Sequence, residues 1–407
     1  MSLFVFSLSV LNLALARVLT LPFHDEYGHI VLVFDGQPIS LLADSGSARF
    51  FVVYGEWFER QYGRGSCRRH NMTCYFCPVE APCDDIEQRD RMTVGYAGGL
   101  DVYQYVQHSG VLDLGQSTVN VTFGVVVDYT SKYNVAPTPT LGLSSGRADI
   151  PKTFLQQLKD LNVIDTLSYS VHFERFCPYE QGKLVVGGVG SKGQDTIRLP
   201  LSMPPELKRR LHVPIASMGI GERPEVEASL SGDGSSKIIR FSLQDRVALF
   251  DTGNMGIDLP CTVLSALIEG LEAGVSTLAN SRTLRVENIM WWEVDRPMVW
   301  VIRPNHVRFL PTIVYSLVRE GNETVDIRIS PEHYVGTCSY DECMVYLYAS
   351  NDTELVVGEP FFRAYDAHVD LEGEIISVEP QPPRPAAHLR VGHDPRRLLL
   401  PGVWQLC

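Results

Sequence analysis

Positive charge is in short supply: Lys and Arg total 35 against 48 Asp and Glu, a formal net charge of −13. A chain this acidic is not built to hold a polyanion, which excludes nucleic acid as a partner. Charge of either sign is sparse, at 20% of 407 residues against 45% hydrophobic. That balance excludes a disordered, solvating chain and supplies more apolar material than one ordinary core absorbs, so two lobes are expected. Long apolar runs are missing too. The longest, residues 3–16 (LFVFSLSVLNLALA), has 14 residues and is too short to cross a bilayer, and no stable membrane anchor is expected. It ends in Ala14-Leu15-Ala16 and reads as a signal peptide, residues 1–16, cut before Arg17. Its first residues carry no Lys or Arg, which leaves an uncleaved or buried N-terminal segment as the other reading.

Nine Cys are present, but the paired C-x2-C knuckles that zinc prefers are not. Cys67, Cys74, Cys77 and Cys83 form a tight set and Cys338 and Cys343 a local pair, all read as disulfide staples of an oxidising compartment. Their connectivity is open, and zinc at the first cluster is the rival reading. The odd Cys is assigned to Cys407, as a free or intermolecular thiol. Asn71, Asn120, Asn322 and Asn351 stand in Asn-x-Ser/Thr sequons, glycan acceptors on a secretory route. The expected destination is outside the cell or an endolysosomal or vacuolar compartment.

Helical periodicity is also scarce; only residues 151–161 and 262–273 show apolar positions at three- and four-residue spacing. The rest reads as short strands broken by Gly, Asp, Asn and Pro, among them 30–34, 39–43, 124–127, 183–186, 238–243 and 299–302, so the fold class is mostly β. One pattern occurs twice. Leu41-Leu42-Ala43-Asp44-Ser45-Gly46-Ser47 and Ala248-Leu249-Phe250-Asp251-Thr252-Gly253-Asn254 each run an apolar strand into Asp, a hydroxyl residue and Gly. Downstream of each lies a second, largely apolar run ending in Gly, at Thr140-Leu141-Gly142 and Val356-Val357-Gly358. The chain reads as a duplicated lobe: 17–198 with the Asp44 loop, and 199–380 with the Asp251 loop. The crossover falls within 190–214, where Lys208-Arg209-Arg210 is a solvated loop or a nicking site. Residues 381–407, rich in Pro and Arg, have the composition of a disordered tail.

Two carboxyls suffice to hydrolyse an amide without metal: one takes a proton from water while the other, protonated, gives one to the carbonyl oxygen. Held about 3 Å apart they cannot both ionise cheaply and share a proton, as in the aspartic-protease pair that serves as the standard example. Ser45, Ser47 and Thr252 offer hydroxyls to fix such carboxylates, and Gly46 and Gly253 allow a close turn. With these motifs the sequence resembles the pepsin-like aspartic peptidases from about Tyr27 to Glu379. The resemblance implies a bilobal acid-protease fold with the cleft between two β-rich lobes, catalytic Asp44 and Asp251, and no cofactor or metal. It implies Leu141-Gly142-Leu143 and Val357-Gly358-Glu359 as the segments packed beneath the two loops. It also implies a hairpin flap at 93–99 with Tyr96 near its tip and Gly98 and Gly99 as the bend. The substrate would be a peptide or protein in extended conformation, cut at acidic pH by a monomer.

Three departures from the family pattern stand out. Phe51 occupies the position, seven residues after Asp44, where Trp is usual; Asn254 replaces a usual Ser or Thr, its amide still able to donate to a carboxylate; and few residues precede Tyr27, too few for a long basic prosegment. They leave open a catalytically silent relative that uses the same cleft to bind protein or glycan. The cysteine-bearing insert at 60–91 is read as a stapled surface loop or as part of the cleft rim.

Overall fold

The computed structural model describes residues 17–381 except 26, 116, 133, 174–181, 191, 192, 194, 203–209, 222–237, 280–289, 294–298, 340 and 351. The signal segment 1–16, the tail from 382, Lys208, Arg209, Asn351 and Cys407 lie outside the described residues.

Two seven-stranded sheets carry the two halves. The first runs His29–Phe34, Gln37–Asp44, Thr140–Gly142, Phe50–Val53, Thr118–Ser131, Asp101–Asp113, Met92–Tyr96. The second runs Thr324–Ile329, Thr312–Val318, His212–Gly221, Ile238–Phe250, Glu354–Val357, Ile257–Pro260, Leu347–Ser350. The first hairpin turns at Asp35-Gly36, where both residues have positive φ (48° and 77°), the conformation that matches the strand twist and that Asp-Gly tolerates. Phe34, Phe50, Phe123 and Phe154 interlock beneath this sheet, with ring centroids 5.0–6.0 Å apart. Phe154 opens the helix Phe154–Asp160, which a Thr153/Gln156 capping box starts inside the stretch expected to be helical. The second expected helix spans Cys261–Ala279 and covers the other lobe.

A six-stranded sheet joins the halves, in the order Leu19–Pro22, Gly182–Val186, Ser168–Phe173, Tyr365–Asp370, Ile375–Pro380, Ile197–Pro200. The crossover read as loop therefore contributes a strand, Ile197–Pro200, and the 198/199 division falls inside it. Apolar alternation of Ile197 and Leu199 against Val378 and Ile376 explains the strand; flanking Gly, Ser and Pro had masked it.

In the insert, Cys67 bonds Cys74, Cys77 bonds Cys83, and further on Cys338 bonds Cys343. Sulfurs joined in pairs are not the thiolates a zinc site needs, so the stapled-loop reading stands at the first cluster. Cys261, given no role from sequence, is disulfide-bonded as well. The helix Gly55–Tyr62 leads into the insert, and Tyr62, His70 and Met72 reach the cleft, so the stapled loop also frames the rim.

Candidate active site

Each Asp ends a strand that a second, parallel strand buttresses. On one side Asp44 stands opposite Gly142, and Leu143 N donates to Asp44 O at 2.8 Å. On the other Phe250 pairs with Val357, and Asp251 N donates to Val357 O at 3.1 Å. The buttressing glycines are obligatory. A Cβ on Gly142 would lie 2.4 Å from the Arg49 backbone, and one on Gly358 2.2 Å from the Asn254 and Gly256 carbonyl oxygens.

The two loops then lock across the lobes. Ser45 N donates to Thr252 Oγ1 and Thr252 N to Ser45 Oγ, both at 2.9 Å. The same hydroxyls donate onward, Thr252 Oγ1 to Ala43 O at 2.6 Å and Ser45 Oγ to Phe250 O at 2.8 Å. Sequence reasoning assigned Ser45 and Thr252 to the carboxylates; they bind backbone instead, because buried loop N–H and C=O groups need partners and no strand supplies them there. The carboxylates are held by backbone donors, Gly46 N to Asp44 Oδ1 at 2.9 Å and Gly253 N to Asp251 Oδ1 at 2.8 Å.

This lock brings the two carboxyls into hydrogen-bond contact at the floor of a cleft of about 1570 Å3. Burial and the facing Asp251 carboxylate hold the Asp44 carboxyl well above the ordinary value of 3.8. Burial raises Asp251 as well, although the Gly253 N–H and the hydrogen bond from Asp44 pull it back. Burial and mutual repulsion thus lead the two acids to share one proton, and the pair titrates as a unit.

Residues 27–380 match the family model of the eukaryotic aspartyl protease. The chain belongs to that family. No curated protein sequence matches the chain significantly. As a eukaryotic aspartyl protease it is an aspartic-type endopeptidase acting on peptide or protein substrates. Among the described residues no helix is long and apolar enough to cross a membrane.

In this aspartyl protease the stretch expected to form the flap is the hairpin of Met92–Tyr96 and Asp101–Asp113, with Tyr96 paired to Asp101 and the bend made by Gly98 and Gly99 at φ 67° and 89°. Tyr96 shares a hydrogen bond of 2.8 Å with Ser47 Oγ, two residues past the first Asp-Ser-Gly Gly's neighbour Ser45. Phe51, fully buried, meets the Tyr96 ring edge-on at 6.3 Å and packs between Tyr103 and Tyr105. Ser47 therefore supplies the polar anchor for the flap tyrosine that Phe51 lacks. A larger ring would press on the Tyr96, Tyr103 and Tyr105 rings that already enclose the fully buried Phe51. We expect Phe51→Trp to cost about 1–3 kcal/mol of stability, read from denaturant melts, without raising activity.

Asn254 turns away from the pair: its Oδ1 accepts from Gly256 N at 3.1 Å, and among the described residues its amide makes no hydrogen bond to Asp251. A short amide side chain closes its own loop two residues on more readily than it reaches back to a carboxylate.

Two groups escaped sequence reasoning because no motif marks them. Glu354 accepts from Arg210 and bonds the buried His212. Arg210 lowers the Asp251 carboxyl while Glu354 raises it. Asp258, seven residues after Asp251, is a buried acid that burial holds well above 3.8. For an acid so raised, the fold keeps a proton that the unfolded chain releases, and stability falls as pH climbs past about 4. Asp258→Asn should therefore melt higher than wild type at pH 7, with the difference gone below about pH 4, as scanning calorimetry would record.

Proposed function

We propose that Asp44 and Asp251 are the catalytic pair and that the enzyme cuts peptides bound in extended form beneath the flap, in acid. The observation that carries this reading is the contact between two carboxyls held on mirrored, cross-locked loops at the cleft floor. In that arrangement the ionised member takes a proton from a water held between the pair while water oxygen adds to the carbonyl carbon. The protonated member donates to the carbonyl oxygen, giving a tetrahedral diol. The C–N bond then breaks as the member now protonated gives its proton to the amine nitrogen while a diol hydroxyl passes its proton to the other member, leaving carboxylic acid, amine and a pair that again holds one proton. Two hydrogen-bonded acids that share one proton keep that working state over a window above the ordinary carboxylate range, which supports an acidic optimum.

An acidic compartment of the secretory route or the extracellular space fits the leader-like 1–16 and the exposed sequons Asn71, Asn120 and Asn322. The test is cleavage of a quenched fluorescent peptide library from pH 3 to 7, with and without a peptide that mimics the tetrahedral diol. A maximum in acid that the mimic abolishes is expected. Folded protein that cuts nothing in that range would refute the reading.

A further inference from the structure

The second lobe's wall of the cleft holds an acid that the catalytic cycle does not use. Asp258, in the strand Ile257–Pro260, is only 3% exposed and lines the same cleft as the Asp44/Asp251 pair. Its Oδ2 accepts from Val356 N at 3.1 Å, and its Oδ1 has no hydrogen-bond partner. Among the described residues no Lys, Arg or His pairs with it. The arginines that line the cleft are engaged elsewhere: Arg210 with Glu354, which also binds His212, Arg49 with Tyr105, and Arg147 with Asp149.

The groups facing Asp258 are acidic or phenolic. Asp352, Asp251 and Glu354 push its carboxyl upward, Tyr348 sits opposite it in the neighbouring strand, and the Tyr315 hydroxyl donates to its main-chain carbonyl. An enclosed carboxyl oxygen left unpaired is costly, and Asp258, once ionised, joins its acidic neighbours in a potential that attracts cations. A neutral amide would satisfy the single oxygen. A cation satisfies it and also answers the neighbouring acids.

We propose that Asp258 determines specificity by receiving a Lys or Arg side chain of the bound peptide, so that the enzyme selects substrates with a basic residue at one position near the cut bond. The proposal rests on the peptide lying in this cleft. Docking of the cation favours the Asp258 carboxylate, so binding releases a proton and the preference strengthens as pH rises.

The test reads binding rather than turnover, which separates it from the catalytic assignment. Peptides with a reduced, uncleavable bond would carry Lys, norleucine, Gln or Glu at each position in turn. Their affinities for the full chain and for Asp258→Asn would be measured by fluorescence anisotropy from pH 4 to 6.5. At one position Lys should bind about tenfold tighter than norleucine, with Gln near norleucine and Glu weakest. That ratio should grow with pH in the wild type and fall to about one in Asp258→Asn. A Gln peptide that binds as well as Lys, a ratio unchanged in the variant, or no position with a Lys preference would overturn the proposal. Should the variant not fold, a Lys-to-norleucine ratio that stays flat with pH in the wild type overturns it equally. Loss of cleavage of a neutral peptide, with the Lys preference in binding intact, would count against the catalytic pair and not against Asp258.

Discussion

Asp44→Asn and Asp251→Asn should each lower kcat/KM on any cleavable peptide by about a thousandfold or more. Asn keeps the size of Asp and the acceptor that Gly46 N or Gly253 N needs, so the loop geometry survives. What it removes is the shared proton. With Asn at either position one carboxyl is left, and it cannot at once take a proton from water and give one to the carbonyl oxygen. Neither variant should be less stable at neutral pH, because both acids are raised by burial and Asn relieves that cost. Rates by peptide assay beside thermal melts at pH 7 make the check. A well-folded variant within tenfold of wild type would remove that residue from the catalytic pair.

Gly46→Ala should be nearly as damaging, without touching an ionisable group. The added Cβ would fall 2.3 Å from Asp251 Oδ2 and 2.4 Å from its Cγ, distances that real contacts do not reach. The loop cannot back away, since Ser45 is tied to Thr252 in both directions and Ser45 Oγ to Phe250 O. The Asp251 carboxyl must move instead, breaking its contact with Asp44. We expect a loss of at least about a hundredfold in kcat, because catalytic geometry tolerates displacements well under 1 Å. Gly270→Ala is the control. Nothing lies within 4 Å of its new Cβ in the helix Cys261–Ala279, and it should leave activity intact and add about 0.5–1 kcal/mol of stability, read from denaturant melts. Equal activity in the two variants would refute the steric account.

The parts of this site that were legible in the sequence were those written twice. Asp44 and Asp251 share a pattern with their buttressing Gly142 and Gly358, and a duplicated pattern is hard to produce by chance. The hairpin at Tyr96 was legible from the glycines after it, since only a tight bend calls for Gly98 and Gly99 together. What the sequence hid was the direction in which side chains point. Ser45 and Thr252 were identified as supporting groups, but whether a hydroxyl serves a carboxylate or a neighbouring carbonyl depends on the opposite lobe. Asp258 was hidden more deeply: an Asp two residues before Pro260 reads as turn chemistry, and only folding reveals it as a buried acid. Of the long strands Asp101–Asp113 and Thr118–Ser131 only the apolar run 124–127 was read, because it alone is apolar without interruption, while Gln104, Gln107, His108, Ser109 and Gly110 break the pattern of the first strand.

The six-stranded sheet is woven from distant parts of the chain: only two strands lie between Leu19–Pro22 and Tyr365–Asp370. The Asp251 loop likewise waits for Val357, whose carbonyl accepts its amide. During synthesis a nascent chain therefore carries both acids on emerged polypeptide long before it has the strands that press them together. The pair cannot be pressed together before the strand Glu354–Val357 has been made, about a hundred residues after Asp251, a delay inherent in the order of strands.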